Sequence, residues 1–147
     1  DKIIQDNHLE RKVTATLTPK GVDIEFSSSV FFQLGEADLL PESHTLLDKT
    51  AVALKGINIS GVTMNIEGHT DDTPINSPKY ASNWELSTAR ATNVVRYLID
   101  RGVDEKVVQA LGLAATRPKM PNRDKGGHAI AANQAANRRV VIRLVRS

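Results

Sequence analysis

Two hydrophobic periods interleave along this chain, and their order limits the folds open to it. Val13-Thr14-Ala15-Thr16-Leu17 and Val22-Asp23-Ile24-Glu25-Phe26 alternate in polarity, with Thr18-Pro19-Lys20-Gly21 placed between them as a tight turn. This predicts a hairpin. Ser27 to Ser29 break the alternation, and Phe31-Phe32 is a short apolar patch leading to a turn at Gly35. Leu46, Leu47, Thr50, Ala51 and Leu54 then repeat at helical spacing between Pro41 and Gly56, which predicts a helix over 41–55. Val62, Met64 and Ile66 return to a two-residue period and end at Gly68. A loop over 69–81 follows, carrying Pro74 and Pro78. Ser82 and Glu85 fit a capping box, and Arg101 and Gly102 fit a helix stop, so a second helix is expected over 83–101. Asp104 should cap a short helical turn over 105–108, and Ala110 to Ala115 reads as a strand. Residues 116–137 form a polar loop with a helical stretch near Ala129–Ala136, and Val140–Val145 is the last strand. The order β-β-α-β-α-β-β predicts an α+β sandwich, a mixed sheet with helices packed on one face plus an N-terminal hairpin strand.

Residues 1–12 are polar, with Ile3, Ile4 and Leu9 as the only large apolar side chains, and are expected to be a linker or a helical tail from an upstream region. Residues 13–147 are expected to form one domain. Its length allows a real core. The chain begins at Asp1 rather than Met and is expected to be a piece of a longer or processed protein.

Composition narrows the chemistry. The formal net charge is only +2 although the pI is about 9.0, too mild a bias to argue for nucleic acid. With no cysteine there is no disulfide framework and no thiolate nucleophile. There is no run of 18 or more apolar residues. The four histidines, at 8, 44, 69 and 128, form no ligand doublet, so no metal and no cofactor are expected. Ser82 and Ser87 lie at a helix start without a G-x-S-x-G elbow, and no pair of acids is marked out beyond Asp71-Asp72, so no enzyme centre is expected.

What remains is a set of charged residues at element ends. Arg90 shares the face of Leu86 and Val94 on the second helix, whose buried stripe is expected to be Leu86, Ala89, Asn93 or Val94, Tyr97 and Leu98. A guanidinium there needs partners. It can close an internal ion pair with Glu67, Asp71 or Asp72, or it can grip a ligand carboxylate. Asp71 stands where a strand gives way to a loop. It can cap backbone N–H groups as a turn residue, or accept a ligand ammonium. Taken together, Asp71 and Arg90 can form a two-point clamp for a zwitterion. Asn137-Arg138-Arg139 precedes the last strand, either as a solvated basic entry or with one arginine near the same pocket. Lys119, Arg123 and Lys125 make the preceding loop basic. Trp84 is expected in the core or as a lid on the pocket rather than as a sugar-stacking platform, with the core favoured.

These residues carry a resemblance. Gly68-His69-Thr70-Asp71, then N-W-E-L-S-x-A-R-A over 83–91, then Ala136-Asn137-Arg138-Arg139-Val140 resemble the OmpA-like peptidoglycan-binding domain across roughly 22–146. The longer stretch from His69 through Asp72-Thr73-Pro74-Ile75 to Ser82 resembles more specifically the MotB/PomB stator subunits of the flagellar motor. The resemblance implies a β-α-β-α-β core that binds the diaminopimelate stem peptide of peptidoglycan without catalysis. It implies that Asp71 and Arg90 engage the diaminopimelate, with Thr70, Asn83, Asn137 and Arg138 at motif positions nearby. It further implies a homodimer in the periplasm, joined to a MotA/PomA-type subunit through an inner-membrane segment. An OmpA- or Pal-type envelope anchor outside motility is the alternative.

Overall fold

A computed structural model of the protein describes residues 12–56 and 61–146. Of the linker or tail expected over residues 1–12, residues 1–11 lie outside the described residues. The elements are β1 (Val13–Thr18), β2 (Gly21–Ser27), α1 (Ser43–Lys55), β3 (Val62–His69), α2 (Asn83–Asp100), β4 (Val108–Gly112), α3 (Ala131–Asn137) and β5 (Arg139–Arg146). Single 3-10 turns lie at Ser28–Val30 and Glu105–Val107. The five strands form one mixed sheet in the order β1-β2-β5-β3-β4. The β3–β4 pair is parallel and the others antiparallel.

Alternation in the strands divides the sheet into two chemically different faces. Phe26, Met64, Ile66, Val140, Ile142 and Leu144 are buried in one core with Leu46, Leu47, Ala51 and Leu54 of α1 and with Ala91, Val94 and Leu98 of α2. Phe31 and Phe32 are fully enclosed, and Phe31 packs on Phe26 with ring centroids 5.0 Å apart. On the alternate positions Arg143 pairs with both Asp23 and Glu67, and Arg139 lies 3.5 Å from Glu25. Burial alone would push the Glu67 carboxyl up. Hydrogen bonds with His69 and from Arg143 outweigh it and hold Glu67 below the usual carboxylate range.

The expected fold class holds, and the element ends shift for local reasons. The helix expected from Pro41 starts at Ser43. Ser43 N–H donates to Leu40 O and His44 N–H to Pro41 O, so residues 40–44 close as a tight turn first. The strand expected over 110–115 is Val108–Gly112, because its parallel register runs from Met64↔Val108 to Gly68↔Gly112. Ala114 beyond it takes a left-handed φ of 50°, which ends the extended chain. The stripe of α2 is Leu86, Ser87, Arg90, Ala91, Val94 and Leu98. Ala89, Asn93 and Tyr97 are only half-buried. The Tyr97 hydroxyl donates to Asp48 Oδ1 of α1 at 2.6 Å.

Two glycines set how closely α2 lies on the sheet. Gly68 and Gly112 are register partners on β3 and β4. A Cβ on Gly68 would meet Ser87 O at 2.3 Å, and one on Gly112 would meet Thr88 Oγ1 at 2.1 Å. The first turns of α2 therefore rest directly on strand backbone, at the sheet end where β3 runs into Asp71. Replacing Gly68 by Ala should lower stability by about 1–3 kcal/mol, the usual range for overpacking. Urea unfolding of Gly68→Ala beside the parent checks this, and an unchanged midpoint would mean that the close approach is not required.

Candidate functional site

A cleft of about 410 Å³ opens at this end of the sheet. Thr70 and Asp71 come from the exit of β3, Asn83, Leu86 and Arg90 from α2, and Gln134 and Arg138 from α3 and its end. Leu34, Gly35, Thr73, Pro74 and Ile75 line it from two loops. The volume is within the range of small-molecule sites.

Asp71 is 7% exposed and takes up the turn-forming role together with an internal ion pair. Its Oδ1 accepts from Thr73 N–H at 2.9 Å, the turn-forming role. Its Oδ2 pairs with Arg138 Nη1 at 2.5 Å. Asp72, next in sequence, points elsewhere. It accepts from Gln134 Nε2 at 2.9 Å and pairs with Arg123 Nε at 2.7 Å, and these two contacts hold its carboxyl below the usual range.

Arg90 is 3% exposed, yet it closes none of the ion pairs open to it on sequence. Its Nε donates to Glu36 O at 2.8 Å and its Nη2 to Gln33 O at 3.1 Å. The guanidinium lies 4.8 Å from the centre of the Phe32 ring. Among the described residues it pairs with no carboxylate, and its Nη1 has no hydrogen-bond partner. Burial pushes Arg90 down to about 10, and the neighbouring positive charge of Arg138 adds to the drop. Arg90 still stays charged at neutral pH. Of the three charged groups in the cleft, Asp71 and Arg138 pair with each other and Arg90 is left without an ion-pair partner among the described residues, which gives the cleft a net positive charge with one carboxylate beside it.

Thr70 is buried, and its Oγ1 donates to Asp71 O at 2.8 Å, which orders the strand exit. Asn83 Nδ2 donates to Thr73 O at 3.0 Å and ties the helix start to the long loop. Ser82 caps α2 by accepting from Trp84 N–H at 3.1 Å, and its own hydroxyl donates to Glu85.

Five of the six candidates, Thr70, Asp71, Asn83, Arg90 and Arg138, thus line one cleft, and Asn137 does not. Asn137 is fully buried. Its Oδ1 accepts from Lys119 N–H and Met120 N–H at 2.8 and 2.9 Å, and its Nδ2 donates to Met120 O and Asn122 Oδ1. It pins the polar loop and sets where α3 gives way to β5. Arg139 turns to the opposite sheet face, where its Nη2 donates to Arg117 O. Trp84, expected in the core, is half-exposed at the start of α2 and lies outside the cleft lining, one turn ahead of Ser87 and Thr88, where the helix meets strand backbone. Sequence reasoning missed Leu34, Ile75 and Gln134. The helical period near Ala129–Ala136 could have placed Gln134 beside Arg138, whereas nothing in the periodicity places the two loops.

The comparisons with known proteins fit this architecture. A family model described as the OmpA family matches residues 31–133. The Bacillus subtilis (strain 168) protein YtxE is 37% identical over 98% of this chain and 56% of its own length. Motility protein B of the same organism is 32% identical over 97% of this chain and 52% of its own. The chain spans about half the length of these curated relatives. Among solved structures, the cell wall anchor of the T6SS from Pseudomonas aeruginosa superposes with a TM-score of 0.84 at 28% identity, over 99% of this chain and 95% of that one.

Asn137→Ala removes the acceptor of two backbone N–H groups and should lower stability by about 2–4 kcal/mol. Urea unfolding together with ligand titration of the folded fraction tests the assignment. A variant as stable as the parent but defective in binding would return Asn137 to the cleft.

Proposed function

The chain belongs to the OmpA family, and on that premise we propose that it is a cell-wall anchor that grips the diaminopimelate of peptidoglycan stem peptides without catalysis. The observation that carries this reading is the uncompensated Arg90 guanidinium beside the Asp71–Arg138 pair. A diaminopimelate side chain ends in one ammonium and one carboxylate. The carboxylate can accept from Arg90 Nη1 and from Arg138, and the ammonium can take the share of Asp71 that Arg138 now occupies. Each ligand charge then meets an opposite one, as desolvated ionic groups require, and the two arginines leave the floor with a net positive charge. Arg138 is thereby a third member of the clamp, beyond Asp71 and Arg90. Thr70 and Asn83 hold the strand exit and the loop that position Asp71.

We infer further that the chain is the periplasmic part of a flagellar stator subunit, holding an ion-driven MotA/PomA-type partner to the wall so that torque has something to react against. It would act as a homodimer, with an inner-membrane segment upstream. The similarity to Motility protein B over nearly the whole chain supports this. A second reading, the wall anchor of another envelope machine, draws on the likeness to the T6SS anchor. Sequence upstream of Asp1 separates the two.

The test is calorimetric titration with the soluble tripeptide L-Ala-γ-D-Glu-meso-diaminopimelate. The parent should bind. Asp71→Asn should weaken binding roughly 10- to 100-fold, the range for a lost charge-assisted hydrogen bond. Amidating the free carboxylate of the diaminopimelate should weaken the parent's binding by a similar factor, because Arg90 then meets no charge. A parent that does not bind, or an amidated tripeptide that binds as well as the acid, would overturn the clamp.

A further inference from the structure

The mouth of the cleft is apolar although its floor is ionic. Leu34 is 83% exposed, and it lines the cleft with Pro74 and Ile75. A single exposed leucine is ordinary. This one sits on a loop held at three points. Arg90 takes Gln33 O and Glu36 O, the carbonyls on either side of it, and Asn93 Nδ2 takes Ala37 O at 2.7 Å. From across the mouth Lys79 pairs with Glu36 at 3.1 Å and reaches Asp38 at 3.9 Å, joining this loop to the long loop that carries Ile75. The two loops abut closely enough that a Cβ on Gly35 would sit 3.8 Å from Ile75 Cδ1. The buried guanidinium on the floor thus fixes the leucine at the rim.

We propose that Leu34, Pro74 and Ile75 form an apolar collar that selects the length of the ligand's aliphatic spacer. This rests on the reading of the floor as a clamp for a diamino diacid. Such a ligand has a charged end and a hydrocarbon stretch behind it. When the end reaches Arg90, Arg138 and Asp71, the hydrocarbon passes the rim. Contact there removes apolar surface of both partners from water. A shorter diacid reaches the floor with its backbone, not its methylenes, at the collar. Arg90 is then a positioning residue for the collar as well as a contact for the ligand, and the long loop contributes to specificity through Ile75.

The experiment compares the meso-diaminopimelate tripeptide with the same tripeptide carrying 2,4-diaminoglutarate, which has one methylene where diaminopimelate has three. The shorter ligand is read by competition. The proteins are the parent, the double variant Leu34→Ser/Ile75→Ser and the control Val52→Ser, at an exposed α1 position outside the cleft lining. Both replaced side chains are solvent-accessible, and circular dichroism verifies the fold. The double variant should bind the diaminopimelate tripeptide roughly tenfold more weakly, the loss expected from about two unburied methylenes. It should bind the shorter ligand as the parent does, and Val52→Ser should match the parent on both. A double variant that binds diaminopimelate like the parent overturns the collar, and so does one that loses both ligands equally. A parent that binds neither ligand overturns the clamp beneath it.

Discussion

A guanidinium buried to 3% exposure in a helix stripe is the constraint around which this end of the molecule is organised. Arg90 occupies a position where a leucine would pack without cost, and its charge must be satisfied locally. Main-chain carbonyls of residues 33 and 36 and the face of Phe32 satisfy most of it. Those contacts bring an otherwise irregular loop against α2 and leave one edge of the guanidinium to the cleft. Replacing Arg90 by Ala would remove the proposed ligand contact and loosen the loop together, so the two roles are separated by the ligand variants and not by that substitution.

The second dependence is the distance between α2 and the sheet. Because Gly68 and Gly112 present no side chain, the Ser87–Thr88 turn sits on strand backbone, and Ser87 Oγ accepts from Ala114 N–H at 3.0 Å. Arg90, one turn further on, is thereby brought to the exit of β3, where Asp71 leaves the sheet. From the other side Arg138 arrives because Asn137 fixes the junction of α3 and β5. Three consecutive residues, Asn137, Arg138 and Arg139, thus serve the loop anchor, the cleft and the opposite sheet face in turn. The motif is dense because each neighbour points to a different job.

Much of this was legible in the sequence, and the parts that were not share a cause. Period-2 alternation placed β1, β2 and β3, and the largely apolar run Val140–Val145 placed β5. β4 was displaced because its limits follow its parallel register with β3, a non-local pairing with no local mark. Asp71 and Arg90 were found because each is a charge at a place where charge is costly or angled. Their partners were not, since Arg90 chose carbonyls from residues 54 and 57 positions away and Asp71 chose an arginine 67 positions away. Trp84 was misplaced in the core because aromatic character argues for burial, whereas the helix meets strand backbone one turn later, at Ser87 and Thr88. Asn137 was placed at the cleft by family motif, and its actual work is to satisfy backbone groups of a loop with no period of its own.

The most direct measurement is a crystal structure of the domain with the meso-diaminopimelate tripeptide bound. The account predicts the side-chain carboxylate within hydrogen-bond distance of Arg90 Nη1 and Arg138, with the ammonium on Asp71 and the Arg90 bonds to Gln33 O and Glu36 O kept. A tripeptide seated on the charged sheet face, or one in the cleft that leaves Arg90 without contact, would contradict it.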